Sequence, residues 1–313
     1  MAKRYRPHEI DPQVTALLSE NPRLTNKAIA AQIGVAESTI ATRIKTMSEN
    51  RIMRVVAQRN FFTTGYGIAA WILVEVSGDD TSAVAEKLAT FENVTGIGLV
   101  WGNFQILAVV AARDYAALSQ FIHEEIDRVP GVKRITLDIN LRFLRGQASF
   151  AEIPEKPDMK AIMAMGSTDE QITALLCHDG RSTNTRIARA LHISESNVRQ
   201  RIARLLESGA IRLSVVSHGT GSSEIGFVRM AVLPAKLKKT AALLLESSKV
   251  AHLSLTTGEF NLCCILNCTD RDELTRFCTD HIQCLPEVVD ADVSILVKGV
   301  KARTDFFPPE EPL

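Results

Sequence analysis

Glu37-Ser38-Thr39-Ile40-Ala41-Thr42-Arg43-Ile44 returns 158 residues later as Glu195-Ser196-Asn197-Val198-Arg199-Gln200-Arg201-Ile202, and this pair of stretches decides how the chain is built. At the same offset, Asp11-Pro-Gln-Val-Thr-Ala-Leu-Leu18 upstream is matched by Asp169-Glu-Gln-Ile-Thr-Ala-Leu-Leu176. Downstream, Trp101-Gly-Asn-Phe-Gln105 meets Thr257-Gly-Glu-Phe-Asn261 at an offset of 156. So long an offset exceeds the roughly 20–50-residue period of a solenoid and marks a duplicated domain pair. A function must therefore make sense in both copies.

Residues 37–44 and 195–202 each lie on the third of three short predicted helices. Asp11 is placed as the N-cap of the first, with Pro12 at its first position, and Val14, Leu17 and Leu18 follow at helical spacing. Asn21-Pro22-Arg23, matched by Asp179-Gly180-Arg181, breaks that helix. Thr25 and Thr183 cap a second helix, and Gly34 and His192 mark the tight turn before the third, over 37–49 and 195–207. Helix, short turn, helix is the helix-turn-helix pattern.

With Ile40 as zero and about 100° per residue, Ile44 and Met47 fall within roughly 40° of it and form the inner face. Ser38, Thr42, Lys45 and Thr46 lie on the opposite side with Thr39 at its edge, and Arg43 sits at the rim. In the second copy that outer face is Ser196, Asn197, Gln200 and Arg204, with Arg199 and Arg201 beside it. Hydroxyls, amides and cations suit base edges and phosphates in a major groove, the rim arginines suiting phosphate. A lone polar helix face is ordinarily a solvated one; two copies, each after a capped helix pair, favour the DNA reading.

Charge supports that placement. The 313 residues carry no net formal charge, yet residues 1–60 hold ten Lys and Arg against five Asp and Glu, and the stretch after them is acidic. Residues 1–9 read as a basic arm. The longest apolar runs are too short to span a bilayer and no signal-peptide core follows the basic start, so a cytoplasmic protein is expected. All six cysteines fall in the second half, so they form no disulfide framework. Cys263 and Cys264 are adjacent on a strand and point to opposite faces, as core residues would. No metal site and no cofactor are expected.

After Arg54 the period changes to strand-like. Strands are predicted over 68–76, 94–101, 104–111 and 132–144 with helices over 82–91 and 115–128. The second copy gives strands over 225–233, 250–257, 260–267 and 288–298 with helices over 236–247 and 271–282. The order β-α-β-β-α-β is ferredoxin-like, and its bare apolar sheet face needs a partner. The fold class expected is α+β: two winged-helix or helix-turn-helix domains (10–60 and 168–218) alternating with two ferredoxin-like domains of dimeric α+β barrel type (61–145 and 219–301). Residues 146–167 read as a linker and 302–313 as a tail.

With both segments in place, the chain resembles the Lrp/AsnC (feast/famine) transcription regulators twice over nearly its full length. The E-S-x-[IV]-x-x-R-I run carries the likeness in the helix-turn-helix, and the β-α-β-β-α-β segment is similar to the effector-binding, oligomerising (RAM) domain of that family. The resemblance implies a sequence-specific regulator that binds double-stranded DNA and self-associates through its effector domains. It also implies an amino acid or related metabolite near the Gly-x-[Tyr/Phe]-Asp turn. Here that turn is Gly102-Asn103-Phe104-Gln105 and Gly258-Glu259-Phe260-Asn261, an amide replacing the Asp in both. Gly102, Asn103, Gln105, Gly258, Glu259 and Asn261 are the effector-binding candidates, and a hairpin glycine serving backbone geometry alone is the plainer alternative.

Because the outer faces of the two third helices differ, pairing of the effector domains within one chain would present two unlike readers to an asymmetric site, whereas pairing between chains would restore a palindrome. Two rival readings stand beside this one. A siroheme decarboxylase-like tetrapyrrole enzyme is suggested by Val250-Ala-His252, which has Thr95-Gly96 and no His in the first copy. An interaction module that no longer touches DNA is suggested by the weaker basicity of 168–216, with seven Arg against five Asp and Glu.

Overall fold

The computed structural model describes residues 6–50, 52–78, 80–145, 158–217 and 224–302. Along the chain the first copy forms α1 (Asp11–Glu20), α2 (Asn26–Ile33), α3 (Glu37–Glu49), β1 (Met53–Arg59), β2 (Ile68–Val76), α4 (Thr81–Ala89), β3 (Val94–Trp101), β4 (Ile106–Ala112), α5 (Tyr115–Phe121) and β5 (Val132–Arg145). The second follows with α6 (Met159–Met163), α7 (Ser167–His178), α8 (Asn184–Leu191), α9 (Glu195–Glu207) and β6 (Ile211–Ser217). It ends with β7 (Glu224–Val232), α10 (Leu237–Leu245), β8 (Val250–Thr256), β9 (Leu262–Cys268), α11 (Arg271–Cys278) and β10 (Val288–Ala302). The duplicate copies fold alike but do not stay apart. Residues 1–63 and 154–220 form one compact unit, and 64–153 with 221–313 form the other.

In the first unit each helix trio closes over its own apolar core: Val14, Leu18, Ile29, Ile40 and Met47 in one copy, Ile172, Leu176, Ile187, Val198 and Ile202 in the other. The expected caps are present, since Thr25 Oγ1 accepts from the Ala28 N–H and Thr183 Oγ1 from that of Arg186. Gly34 and His192 both take the left-handed conformation (φ 84° and 55°) that the turn into the third helix demands. The copies are joined by β1 and β6, antiparallel, with Val56 opposite Ser214. Those two positions are equivalents at the 158-residue offset, so a local twofold passes between them.

Several local expectations are corrected here. The cap position of α1 is Ile10, whereas Asp11 lies inside the helix and turns its carboxylate to the N–H of His8 and to Arg43. Residues 159–163 of the expected linker are helical: Asp158 caps α6 at Ala161, and Ile162 is buried against the core of the second copy. The helices expected over 115–128 and 271–282 are α-helical only to Phe121 and Cys278, then widen into π-turns, Ile122–Ile126 and Thr279–Gln283. Strand β10 runs beyond 298 because residues 295–302 pair with β3. The arm residues Lys3 and Arg4, linker residues 146–157 and tail residues 303–313 lie outside the described residues.

In the second unit the two β-α-β-β-α-β sets close one eight-stranded barrel in the order β10-β3-β4-β2-β5-β8-β9-β7. The sheets join at β5–β8 and β10–β3, so the bare apolar faces are covered within a single chain. Outward strand residues such as Ile72, Val74, Val228 and Cys264 pack under the helices. Inward ones include Trp71, Phe227 and Cys263, packed with Phe104 of the β3–β4 turn. Cys263 and Cys264 thus face opposite sides of β9. No described cysteine is in a disulfide, and all but Cys284 are buried.

The barrel interior is not wholly apolar. Arg229 donates from Nε and Nη2 to Asp292 Oδ2 (3.0 and 2.5 Å) and from Nη1 to Asp138 Oδ2 (3.3 Å). Its guanidinium also lies over the rings of Phe104 and Phe260, 5.1 and 4.5 Å from their centres. All three charged side chains are buried. Burial pushes the Asp138 carboxyl upward, and the Arg229 charge only partly opposes it.

Candidate nucleic-acid interface and effector turns

The sequence-predicted DNA residues lie as the helical periodicity requires. On α3, Ser38, Thr42 and Lys45 are exposed while Thr39 and Thr46 are half-buried. On α9, Ser196, Asn197, Arg199, Gln200 and Arg204 are exposed. Asn197, Gln200, Arg201 and Arg204 line one shallow hollow of about 160 Å³. The first face thus offers hydroxyls and a lysine, the second amides and arginines, although Lys45 lies 3.7 Å from Glu49 at the end of its own helix.

The rim arginines are engaged. Arg43 donates from Nε and Nη2 to the two oxygens of Asp11 (2.9 and 2.7 Å), and from Nη2 to the Arg6 carbonyl (3.1 Å). In the second copy the matching carboxylate, Asp169, accepts from Arg201 (2.8 Å) and Arg204 (2.6 Å) as well as from the Gly166 N–H. Asp169 is 1% exposed, whereas the Arg201 and Arg204 side chains are 30% and 54% exposed. A buried anion thus sets the pose of cations whose outer edges remain in water. This anchoring was missed in the sequence; its signal is an Asp at the start of the first helix with an Arg 32 residues later in each copy.

The turns proposed for an effector are occupied by the fold itself. Gln105 Oε1 accepts from the Val76 N–H, and Asn261 bonds both the N–H and the carbonyl of Val232. Each amide therefore ties off the end of a neighbouring strand, and at Asn261 the donating half of that pair is one an ionised carboxylate could not supply. Asn103 donates to Asp292 across the barrel seam (2.8 Å), while Glu259, its counterpart, is exposed. Gly258 has φ 95°, and a Cβ there would lie 2.9 Å from Asp138 Oδ1, so glycine is required by backbone and neighbour alike. Gly102 occupies the matching place, beside Ser294.

His252 lies inside the barrel, its Nε2 3.1 Å from Ser254 Oγ and its ring edge-on to Trp71 and Phe143. Burial drives its pKa down to about 3, so the imidazole is neutral. Among the described residues no group of three His, Cys, Asp or Glu could hold a metal ion, and no helix is long and apolar enough to cross a membrane.

Comparison with known proteins returns the duplication. The AsnC-type helix-turn-helix domain matches residues 9–48 and 165–206, and the Lrp/AsnC ligand binding domain matches 69–145 and 226–306. An HTH-type transcriptional regulator of Pyrococcus furiosus is 34% identical over 126 residues, covering 40% of this chain and 85% of its own length. The HTH-type transcriptional regulator LrpA of Pyrococcus horikoshii is 30% identical over 138 residues, 44% of this chain and 98% of its own length. Each of these matches spans nearly a whole relative and less than half of this chain. Among solved structures, the siroheme decarboxylase NirDL superposes with a TM-score of 0.66 over 95% of this chain and 94% of its own, at 14% identity. That likeness is one of fold.

Proposed function

Because this chain belongs to the Lrp/AsnC family and is a helix-turn-helix transcription regulator, we propose that it reads an asymmetric double-stranded DNA site with two unlike recognition helices carried on one polypeptide. The observation that carries this reading is the local twofold at Val56 and Ser214, which relates α3 to α9 within one unit. Their exposed faces match at Glu37 and Glu195, Ser38 and Ser196, and Glu49 and Glu207, and differ at the exposed positions between them, as at Thr42 against Gln200. Matching half-sites on a twofold make a palindrome; unlike readers on a twofold make two different half-sites.

Ser38, Thr42 and Lys45 face the bases or backbone of one half-site, and Ser196, Asn197 and Gln200 those of the other. Arg199, Arg201 and Arg204 contact phosphate, the latter two held in pose by Asp169. Arg43, engaged by Asp11, contributes a phosphate contact from what remains exposed of its fork. Selection from random duplexes followed by footprinting tests the reading: two dissimilar protected half-sites are expected. A strictly symmetric preferred site overturns it.

A small-molecule effector acts at the second turn in preference to the first. Glu259 is an exposed carboxylate able to meet an ammonium group, whereas Asn103 is committed to Asp292. Calorimetric titration with each common amino acid should give binding that Glu259→Gln weakens and Asn103→Ser leaves in place.

A further inference from the structure

The two helix-turn-helix copies touch through polar contacts that the local twofold does not repeat. The Gly180 N–H donates to the Val55 carbonyl at 2.8 Å. At the equivalent place in the first copy stands Pro22, which has no N–H to give. Arg59 pairs with Glu170 at 2.6 Å, and the equivalents of these two are Ser217 and Pro12. Arg212 Nε donates to Gln58 Oε1 at 2.8 Å, where the second copy has Val216 in the acceptor's place.

The largest of these one-sided contacts is made by Arg181. Its Nη1 donates to the carbonyls of Pro22 (3.2 Å) and Leu24 (2.8 Å), and its Nη2 to Asn26 Oδ1 (2.8 Å). The equivalent cation is Arg23, and the acceptor equivalent to Asn26 is Asn184. No side-chain hydrogen bond runs from Arg23 to the second copy among the described residues, and Asn184 Oδ1 is buried with no partner. Arg23 meets the second copy through the charge of Asp179, so sequence identity at Arg23 and Arg181 conceals a broken symmetry: the same guanidinium hydrogen-bonds across on one side only.

The grip falls where it has leverage. Pro22 and Leu24 form the connection between α1 and α2, and Asn26 is the first residue of α2. Helix α2 in turn packs Ile29 and Ala30 into the core that seats Ile40 and Met47 of α3. Holding the start of α2 therefore holds α3 relative to the copy that carries α9.

We propose that Arg181 is a one-sided clamp between the two reading heads, a positioning residue that fixes the separation of α3 and α9 and with it the half-site spacing the protein accepts. The spacing clause rests on the DNA reading above; the clamp itself does not. Spin labels at Thr42→Cys and Gln200→Cys, in full-length protein carrying Cys284→Ser, report the separation directly by pulsed resonance, since the other cysteines are buried.

Arg181→Ala should broaden that distance distribution about twofold, as a released contact admits more conformers. Asn26→Ala should broaden it less, and serves if the arginine variant is poorly folded. Arg23→Ala should broaden it less than Arg181→Ala, since it removes a charge facing Asp179 but no hydrogen bond across. On duplexes whose selected half-sites are moved apart base pair by base pair, unlabelled wild type should lose about tenfold in affinity away from its preferred spacing. Arg181→Ala should flatten that dependence while leaving affinity for a single half-site unchanged.

A distribution as narrow in Arg181→Ala and Asn26→Ala as in wild type, or equally broadened by Arg23→Ala, overturns the clamp. Broadening without any change in spacing preference overturns its role in spacing. Absence of duplex preference in every protein refutes the DNA reading instead, and the distance distributions then judge the clamp alone.

Discussion

Leu73 faces Thr136 across β2 and β5, and at the matching place in the second copy Arg229 faces Asp292 across β7 and β10. The strand pairing is the same, yet one position sets a leucine opposite a threonine and the other a buried ion pair that also reaches Asp138 of the first copy. The helix-turn-helix copies differ in the same manner, with one arginine on Asp11 but two on Asp169. Apolar positions that define the fold are kept in both copies. Polar contacts that cross between copies have become one-sided, by divergence at Arg229 and Asp138 and, at Arg181, with the residue type kept but its hydrogen bonds not repeated.

The largest effect tests the barrel. Arg229→Leu alone should cost about 4 kcal/mol, since it leaves two carboxylates buried without their cation. The triple change Arg229→Leu, Asp292→Thr and Asp138→Ser, which installs the counterparts Leu73, Thr136 and Ser294, should return stability to within about 1 kcal/mol of wild type. Urea denaturation measures both, and a single change as mild as the triple would mean that the carboxylates reach water.

Next in size are the anchors of the recognition helices. Asp169→Asn should cost about 3 kcal/mol and Asp11→Asn about 2, the difference reflecting the second arginine that only Asp169 holds. Equal losses by denaturant titration would show that Arg204 adds nothing to the anchor.

His252, whose counterpart is Gly96, gives a pH signature belonging to one copy. Its folded pKa is lowered to about 3 from an ordinary 6.5. The unfolded chain therefore binds the extra proton first, and stability is full above pH 6.5 and falls as pH drops below it. The slope is about 1.4 kcal/mol per unit, so roughly 2 kcal/mol should vanish between pH 6.5 and 5. His252→Leu should remove that slope, and a profile unchanged by it would place the titration elsewhere. Smallest of all, Gln200→Ala should alter base preference by about 1 kcal/mol at one position of one half-site. A uniform loss over all sequences would make Gln200 a backbone contact.

Much of this architecture was legible without coordinates, and the reasons are local. Thr25, Gly34 and the spacing of Ile40, Ile44 and Met47 act within one or two turns of helix, so α2, the turn and α3 followed from the order of residues. The strands β2 and β3 were bounded correctly by their apolar runs. What escaped reading depends on partners distant in the chain. Asp11 before Pro12 satisfies the rule for a cap, but Arg43 draws it into an ion pair 32 residues away. The pairing of β1 with β6 is invisible in either strand alone. Arg229, Asp138 and Asp292 lie on three different strands, and no local pattern announces that barrel closure brings them together. Among the effector candidates implied by the family resemblance, Gln105 and Asn261 also complete sheet edges, a role set by strands distant in the chain.

Closure of the barrel inside one polypeptide changes what dilution can do. Two separate subunits part when few copies are present, but halves tied by peptide bonds meet at an effective concentration set by the tether and not by abundance. A substitution in one head, moreover, is not stamped onto its mate as it would be in a homodimer. The heads are free to drift toward different sequences, one at a time, while the molecule stays whole.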